Sequence, residues 1–359
     1  MNETQRQEIQ ELLDAPTLYP EKPRKSLEQR RADLEHWLET YGEVNVCYNF
    51  HGLDLEENAD IDAYLDRCAF RKDRYQLNSK FYPQGSSLPF NPTIITRDKK
   101  LFECFAAYAT KDPRRYPVSL GMIADDGKFF GWQDPTFQAL VERLEGQRVV
   151  FKQTYGCSGT GVMVVSIAEG KITHDGTSFT PQEFLNKISQ TAVSWLIQGY
   201  IIQHPWMASL NPSSVNTMRI VTFNTGARVV NSPAILCYGK EGCVTDNADS
   251  DGFCAEVSPE GIVGPYAFNF MSKYRTDCPV VGQQVPFYTE TVEFLKRLHS
   301  FIPELFTVGW DVTVTPDGPL VIEGNDGWDP YVTQTPLGNA MRAFWNDMVQ
   351  ERKDFYGWE

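Results

Sequence analysis

The segment 308–325 constrains the fold most, because apolar and polar side chains alternate on both sides of a single turn. Alternation with a period of two places successive side chains on opposite faces of a strand. A Pro-Asp-Gly-Pro sequence around Asp317 predicts the turn. A β-hairpin centred on Asp317 pairs Asp311 with Glu323, since the two residues are equally far from the centre.

Strict alternation on the return strand puts Val321, Glu323 and Asn325 on one face, the face that Asp311 occupies on the first strand. Two carboxylates and an amide oxygen are hard ligands that suit Mg²⁺, which shares its coordination shell with nucleotide phosphates. Two such ions can neutralise a γ-phosphoryl group and organise its in-line transfer. The alternative that these residues leave open is a solvated polar face on a two-stranded ribbon.

A glycine-rich loop follows Lys152 and contains Gly156, Gly159 and Gly161. Glycines let successive backbone N–H groups approach an anion without a Cβ in the way. A β-branched segment follows the loop, whereas a Walker loop or a dinucleotide fingerprint requires a helix there. These features predict a β-hairpin flap over phosphates, with Lys152 at the end of the incoming strand. An ordinary glycine-rich hairpin with a surface lysine remains the alternative.

Arg219 lies in a segment whose apolar neighbours Met218 and Ile220 predict a strand. Alternation places Arg219 on one face with Thr217 and Val221. A guanidinium there can grip a carboxylate through two parallel hydrogen bonds. A salt bridge at the edge of a sheet explains the same residue equally well.

Composition and charge narrow the class of protein. The 359 residues carry 42% hydrophobic and 22% charged residues, which is ordinary for a globular chain of two or three lobes. A net charge of −14 disfavours nucleic acid and anionic lipid as partners. No apolar run approaches the roughly 20 residues of a membrane span, and the N-terminus lacks the apolar region of a secretory signal. The eight scattered cysteines are therefore expected to be reduced thiols in the cytoplasm.

The predicted strands and helices mix without strict alternation, which favours α+β lobes over a doubly wound sheet. We expect an N-terminal helical accessory region at 1–90. A first lobe at 91–195 contains the glycine flap, and a second lobe at 196–359 contains the metal-binding hairpin and a C-terminal helix.

Local signals predict individual helices. Ser26 and Gln29 have the spacing of a capping box, and Asp98 can cap the helix that follows it. Apolar residues at helical period predict a further helix over 60–77, and a last helix is expected at about 336–350.

Several of these segments together resemble the sugar-transfer-associated family of the ATP-grasp superfamily. The resemblance covers roughly 95–330. It rests on DKKLF at 98–102, Lys152 with its flap, IIQHP, LNPSSVNTMRIVT, DNADSDG, and GWDVTVTPDGPLVIEGN. It implies the ATP-grasp fold, in which two α+β lobes clamp Mg·ATP.

The resemblance also implies roles for individual positions. Lys99 and Lys152 match the lysines that contact nucleotide phosphates, and Arg219 matches an arginine that holds the acceptor carboxylate or the migrating phosphoryl group. The glycines of the family's flap correspond to Gly156, Gly159 and Gly161. The Mg²⁺ ligands correspond to Asp311, Glu323 and Asn325. The linker whose backbone contacts adenine corresponds to Gln198, Gly199, Tyr200 and Ile201. Gln198-Gly199 stands where the family usually has an acidic pair, and Phe253 stands where it tends to have a glycine.

The implied activity is that of an ADP-forming ligase, which uses ATP and two Mg²⁺ ions to join a small-molecule carboxylate to an amine through an acyl phosphate. Two alternatives remain at this point. One is a kinase of the same fold that phosphorylates a small molecule, and the other is a nucleotide-binding protein without catalytic activity. The sequence leaves the acid, the amine and the oligomeric state open.

Overall fold

A computed structural model of the protein describes residues 1–81, 91–155, 161–248, 251–338 and 340–359. The helices in these ranges are α1 (Glu3–Asp14), α2 (Leu27–Tyr41), α3 (Arg67–Ser79), α4 (Ile94–Arg97), α5 (Lys99–Thr110), α6 (Phe137–Arg143), α7 (Pro181–Ser189), α8 (Pro205–Ala208), α9 (Tyr288–Ser300), α10 (Pro330–Leu337) and α11 (Arg342–Tyr356). Two short 3₁₀ helices lie at Ile61–Ala63 and Pro113–Arg115.

The strands form two antiparallel sheets, which confirms the predicted α+β class. The first sheet has the order β2-β1-β7-β3-β4-β5-β6 and the second the order β13-β12-β11-β10-β8-β14-β15, with β9 paired to β8. The strands are β1 (Ser119–Ile123), β2 (Phe129–Gly131), β3 (Arg148–Gln153), β4 (Val162–Ala168), β5 (Lys171–His174), β6 (Thr177–Phe179), β7 (Trp195–Gly199), β8 (Thr217–Asn224), β9 (Val229–Asn231), β10 (Ala234–Tyr238), β11 (Phe253–Val257), β12 (Val263–Asn269), β13 (Tyr274–Asp277), β14 (Thr307–Thr315) and β15 (Gly318–Asn325).

The second sheet buries one face in an apolar core. Met218 and Ile220 of β8 point into this core, where Leu295 of α9 packs with them. The side chains between them, Thr217 and Arg219, therefore lie on the opposite face. That opposite face carries Thr217 and Arg219 of β8 and Asp311 of β14, and the candidate site is built on it.

The N-terminal helices pack as a group on the second sheet and on α10. Trp37 and Phe50 belong to a buried cluster that includes Phe268 of β12 and Tyr331 of α10. The Nε1–H of Trp37 donates to the hydroxyl of Tyr331 over 3.2 Å, and a ring nitrogen of His51 lies 3.0 Å from the Tyr331 carbonyl oxygen. The division of the chain at residues 90 and 195 stays a prediction.

Two predicted helix starts are confirmed, and two predicted helices have different bounds in the structure. Ser26 and Gln29 form the expected capping box, and Asp98 caps α5. The single helix predicted over 60–77 is instead a 3₁₀ turn followed by α3. Asp66 separates them because its side chain accepts a hydrogen bond from Ala69 N and starts a new helix.

The predicted last helix at 336–350 is two helices, α10 and α11. The carboxylate of Asp329 caps α10, and Pro330 occupies its first turn. Gly338 ends α10 in a left-handed conformation with φ of 59°. No helix in the described part of the chain combines the length and the apolar character that crossing a bilayer requires.

Candidate active site

The hairpin β14–β15 pairs Asp311 with Glu323, as the alternation of the sequence predicted. The turn lies half a residue from the predicted centre, because Thr315 pairs with Gly318. The register then shifts between Asp311 and Val312, where the partner residue changes from Glu323 to Val321 and leaves Ile322 as an extra residue. This bulge restores the pairing of the two carboxylates.

The bulge also changes which side chains share a face. Val321 lies in the apolar core with Val312, so the prediction that Val321 shares the face of Glu323 is wrong. Asn325 joins the two carboxylates: its Nδ2 donates to Asp311 Oδ2 over 3.2 Å and lies 3.5 Å from Glu323 Oε1. The structure therefore brings together the three residues that were predicted to hold metal ions.

Arg219 on β8 is the cross-strand neighbour of Asp311 on β14. The guanidinium donates Nε–H to Asp311 Oδ1 over 2.5 Å and Nη2–H to Asp311 Oδ2 over 2.9 Å. Burial alone would lower the pKa of Arg219, but the charge and hydrogen bonds of Asp311 raise it well above its ordinary value. Burial raises the pKa of Asp311, and the guanidinium opposes that rise. Both strands are interior to the sheet, so this ion pair does not lie at an edge.

Two lysines from the first half of the chain reach the same cavity. Lys152 is the penultimate residue of β3 and pairs with Leu196 of β7. Lys99 begins α5, where its backbone N–H donates to the Thr154 carbonyl over 3.3 Å. Both lysines line a cavity with Gln198 and Glu323. Burial lowers the pKa of Lys152, and the negative charge of Glu323 acts against this decrease. A buried ammonium group that lines a cavity is suited to bind an anionic ligand.

The predicted adenine linker follows directly from β7. Gln198 is buried, and its Nε2 donates to the Pro117 carbonyl over 3.2 Å, while Gly199 N donates to the Val118 carbonyl over 3.2 Å. The guanidinium of Arg148 lies 4.0 Å from the centroid of the Tyr200 ring. Ile201 is partly buried beside them.

Only part of the predicted flap can be placed. Gly156 and Gly159 lie outside the described residues. Gly161 has a φ of 75°, a conformation that favours glycine, and its carbonyl accepts a hydrogen bond from Gln153 N over 2.9 Å. The strands β3 and β4 that flank the loop pair antiparallel, which confirms the predicted hairpin.

A third carboxylate, that of Asp246, also lies at the site. Its Oδ2 accepts a hydrogen bond from the Thr217 hydroxyl over 2.6 Å. Burial raises the pKa of Asp246 to about 7, and the charge of Asp311 adds to the rise. Asp246 lies in DNADSDG, one of the segments that carry the family resemblance, but it was not among the predicted site residues. The three carboxylates Asp246, Asp311 and Glu323 all act electrostatically on Lys152.

The donor set fits Mg²⁺ and a triphosphate. Asp311, Glu323 and Asn325 offer oxygen atoms on neighbouring strands, and Mg²⁺ takes carboxylate and amide oxygens together with phosphate oxygens. The two lysines offer ammonium groups in the cavity that Glu323 also lines. Opposite charges are thus arranged so that a cation and a polyphosphate can bind side by side.

The solved structures that match this chain include ATP-grasp enzymes of low sequence identity. D-alanine–D-alanine ligase from Bacillus anthracis is 17% identical with a TM-score of 0.40, over 78% of this chain and 76% of that one. D-cycloserine synthetase DcsG is 15% identical with a TM-score of 0.40, over 73% and 71%. The purK N5-carboxyaminoimidazole ribonucleotide synthetase is 11% identical with a TM-score of 0.37; the match covers 66% of this chain and 48% of that protein, about half its length.

A search of curated proteins found no match. The family model for sugar-transfer-associated ATP-grasp proteins matches residues 95–348, well over half of the chain. This range includes both lysines, Arg219 and the whole hairpin β14–β15, and the chain therefore belongs to the sugar-transfer-associated ATP-grasp family.

Proposed function

We propose that the protein is an ATP-dependent, ADP-forming carboxylate–amine ligase. A carboxylate oxygen of an acid substrate attacks the γ-phosphorus of ATP, which gives an acyl phosphate and ADP. The nitrogen of an amine substrate then attacks the acyl carbon, and phosphate leaves as the amide bond forms. ATP activates the acid, so the protein needs no nucleophile of its own.

The convergence of Asp311, Glu323 and Asn325 opposite Lys152 carries this proposal. Mg²⁺ held by these three side chains would neutralise phosphate oxygens during transfer. Family membership supports ATP as the nucleotide. We include two Mg²⁺ ions in this proposal.

Positively charged residues would orient the phosphates. Lys152 from the first sheet and Lys99 from α5 hold the phosphate chain, since both line the cavity next to Glu323. A phosphate oxygen beside the buried Lys152 keeps its ammonium charged, which burial alone disfavours. The two lysines therefore act by charge and position.

Arg219 would steady the acid substrate and the phosphoryl group it receives. Its guanidinium already forms two parallel hydrogen bonds with a carboxylate, that of Asp311, so its fork has the geometry that binds the oxygen pair of a carboxylate or phosphate. When Asp311 serves as a metal ligand, the fork becomes available to the substrate. Arg219 thus links metal binding to substrate binding.

The segment Gln198 to Ile201 would supply backbone contacts to adenine. The side-chain amide of Gln198 is committed to the Pro117 carbonyl, and Gly199 has no side chain. Neither residue can provide the carboxylate that commonly binds a ribose hydroxyl in this family. In this proposal, backbone atoms of the segment therefore form the contacts to adenine.

A screen of acids and amines in pairs tests the proposed reaction, with ADP release as the readout and mass spectrometry of the product. We expect ADP release to require both an acid and an amine, and we expect the product to have the mass of the amide. Phosphorylated product formed without an amine would indicate a kinase. Stabilisation by Mg·ATP with no ADP release under any pair would indicate a binding protein.

A further inference from the structure

Cys237 on β10 and Cys254 on β11 are direct neighbours across two antiparallel strands. Their Sγ atoms are 3.6 Å apart, and both cysteines are free thiols in the structure. Cys254 is buried, with 2% of its surface exposed, and Cys237 is half-buried. The two thiols thus form a pair in which one member is more accessible than the other.

The pair lies on the face of the second sheet that carries the candidate active site. Leu236 and Ala255 point into the core on the other face, so Cys237 and Cys254 point away from it. Cys237 is the cross-strand neighbour of Thr217 on β8. Arg219 lies on the same face, two residues further along β8, so its Cα is about 7 Å from that of Thr217.

We propose that Cys237 and Cys254 form a reversible disulfide, and that this dithiol is a modification site on the face of the second sheet that carries the candidate active site. The oxidant is a low-molecular-weight disulfide such as glutathione disulfide. The thiolate of Cys237 attacks one sulfur of the oxidant and displaces one glutathione thiolate, which gives a mixed disulfide. The thiolate of Cys254 then attacks Cys237 Sγ and displaces the second glutathione. In total, two protein thiols are oxidised and one glutathione disulfide is reduced to two glutathione molecules.

The strand geometry permits this bond. Paired residues in an antiparallel ladder have Cα atoms about 4.5–5.5 Å apart, which falls inside the range of about 4.4–6.8 Å found for disulfides. The two sulfurs need to approach by about 1.5 Å to reach bonding distance, which small side-chain rotations can provide. No rearrangement of the backbone pairing is required.

Cys237, the less buried of the two thiols, is also the one that pairs with Thr217 across the strands. The hydrogen bond with Cys254 and burial both raise the pKa of the Cys237 thiol, so little thiolate is present at neutral pH. Slow oxidation under mild conditions and faster oxidation at alkaline pH follow from this property. The buried Cys254 is positioned to resolve the mixed disulfide rather than to react first.

The bond would form next to a residue of the candidate active site. Thr217, the neighbour of Cys237, donates its hydroxyl hydrogen to Asp246, and Asp246 lies in the segment that joins β10 to β11. A covalent link between β10 and β11 would therefore fix the two strands that carry this segment. The dithiol stands independently of the proposed ligase activity, because it rests on sulfur geometry alone.

Mass spectrometry of the full-length protein tests the proposal. Reduced protein is incubated with glutathione disulfide, free thiols are alkylated, and a digest is analysed without reduction. We expect one linked peptide pair that joins Cys237 to Cys254, lighter by two hydrogen atoms than the separate peptides and split again by dithiothreitol. The opposite result would overturn the proposal: in the wild type, glutathione is attached to the exposed Cys68 or Cys104, while Cys237 and Cys254 are recovered as alkylated thiols.

Two variants sharpen the result. Cys254→Ser should trap the first step, so that glutathione remains on Cys237. Cys104→Ser, a change at an exposed helical position, should leave the linked pair intact. Loss of the link in Cys104→Ser, or a link from Cys237 to any other cysteine, would also contradict the proposal. The wild-type digest decides the question even if Cys254→Ser does not fold.

Discussion

Arg219 donates a hydrogen bond to each carboxylate oxygen of Asp311, across the neighbouring strands β8 and β14. The side chains are only 28% and 15% exposed, so each group neutralises a charge that burial would otherwise make costly. Since Asp311 is also a predicted metal ligand, we expect the guanidinium and a divalent cation to compete for the same oxygens. The proposed metal site thus predicts that the stability of the protein and its metal binding are coupled.

Removing the guanidinium tests this coupling. Arg219→Ala should lower the free energy of unfolding by about 3 kcal/mol, because Asp311 is left as a buried, unpaired carboxylate. Added Mg²⁺ or Mn²⁺ should stabilise the variant more than the wild type, since the cation replaces the missing positive charge. Denaturant unfolding with and without the metal salt measures both effects.

Arg228→Ala is the matched control for this experiment. Arg228 forms the same kind of forked pair with Glu351, but its side chain is 59% exposed. Its removal should change the free energy of unfolding by less than about 1 kcal/mol and leave the response to metal unchanged. Equal losses in both variants, or an identical response to metal, would contradict the coupling.

Lys152 should be essential for nucleotide use. Lys152→Ala removes the ammonium that lines the cavity beside Glu323, so the KM for ATP should rise and turnover should fall by at least about tenfold. Steady-state ADP release at varied ATP concentration measures both quantities. Lys171→Ala, at an exposed position of β5 in the same sheet, is the control and should behave as wild type. A Lys152→Ala protein with unchanged KM and turnover would remove the lysine from the site.

His51 should make the protein sensitive to acid. Burial lowers its pKa from 6.5 to about 4, and the Tyr331 carbonyl that binds its ring only partly opposes this. The unfolded chain binds a proton below about pH 6.5 while folded His51 stays neutral, so stability falls as the pH decreases toward 4. The contribution lost by pH 4 is about 3 kcal/mol.

A comparison of two histidine variants isolates this effect. His51→Gln removes the titrating group, so the stability advantage of the wild type over this variant should shrink by about 3 kcal/mol between pH 7 and pH 4. His36→Gln changes a histidine that is 49% exposed and pairs with Asp62 at the surface, and its difference from wild type should stay small. Urea unfolding at several pH values gives the numbers. A difference that does not change with pH in His51→Gln would refute the assignment.

The pairing of Asp311 with Glu323 could be predicted because side-chain alternation and turn sequence are local signals. The bulge at Ile322 could not, because it arises from a turn placed half a residue off centre and from the packing of Val321 against the core. Because the bulge shifts the register by one residue, Asp311 pairs with Glu323 as predicted, although the predicted face of Val321 is wrong. Strict alternation is a reliable guide only between bulges.

Other features depend on contacts between distant parts of the chain. The hydrogen bond from Thr217 to Asp246 and the ion pair of Arg219 with Asp311 join residues far apart in sequence, and no local pattern encodes them. The break between the 3₁₀ turn and α3 follows from the cap at Asp66, which competes with the apolar periodicity used for the prediction. Helix existence was therefore easier to predict than helix boundaries.

Binding of Mn²⁺ with a non-hydrolysable ATP analogue to Glu323→Gln tests the central claim most directly, because it measures the metal site without requiring the substrates. Electron paramagnetic resonance of bound Mn²⁺ should show a strong loss of binding in Glu323→Gln, since the amide removes one anionic ligand. Glu293→Gln, at an exposed position of α9, should bind as wild type does. Equal binding of Mn²⁺ and nucleotide by wild type and Glu323→Gln would contradict the account.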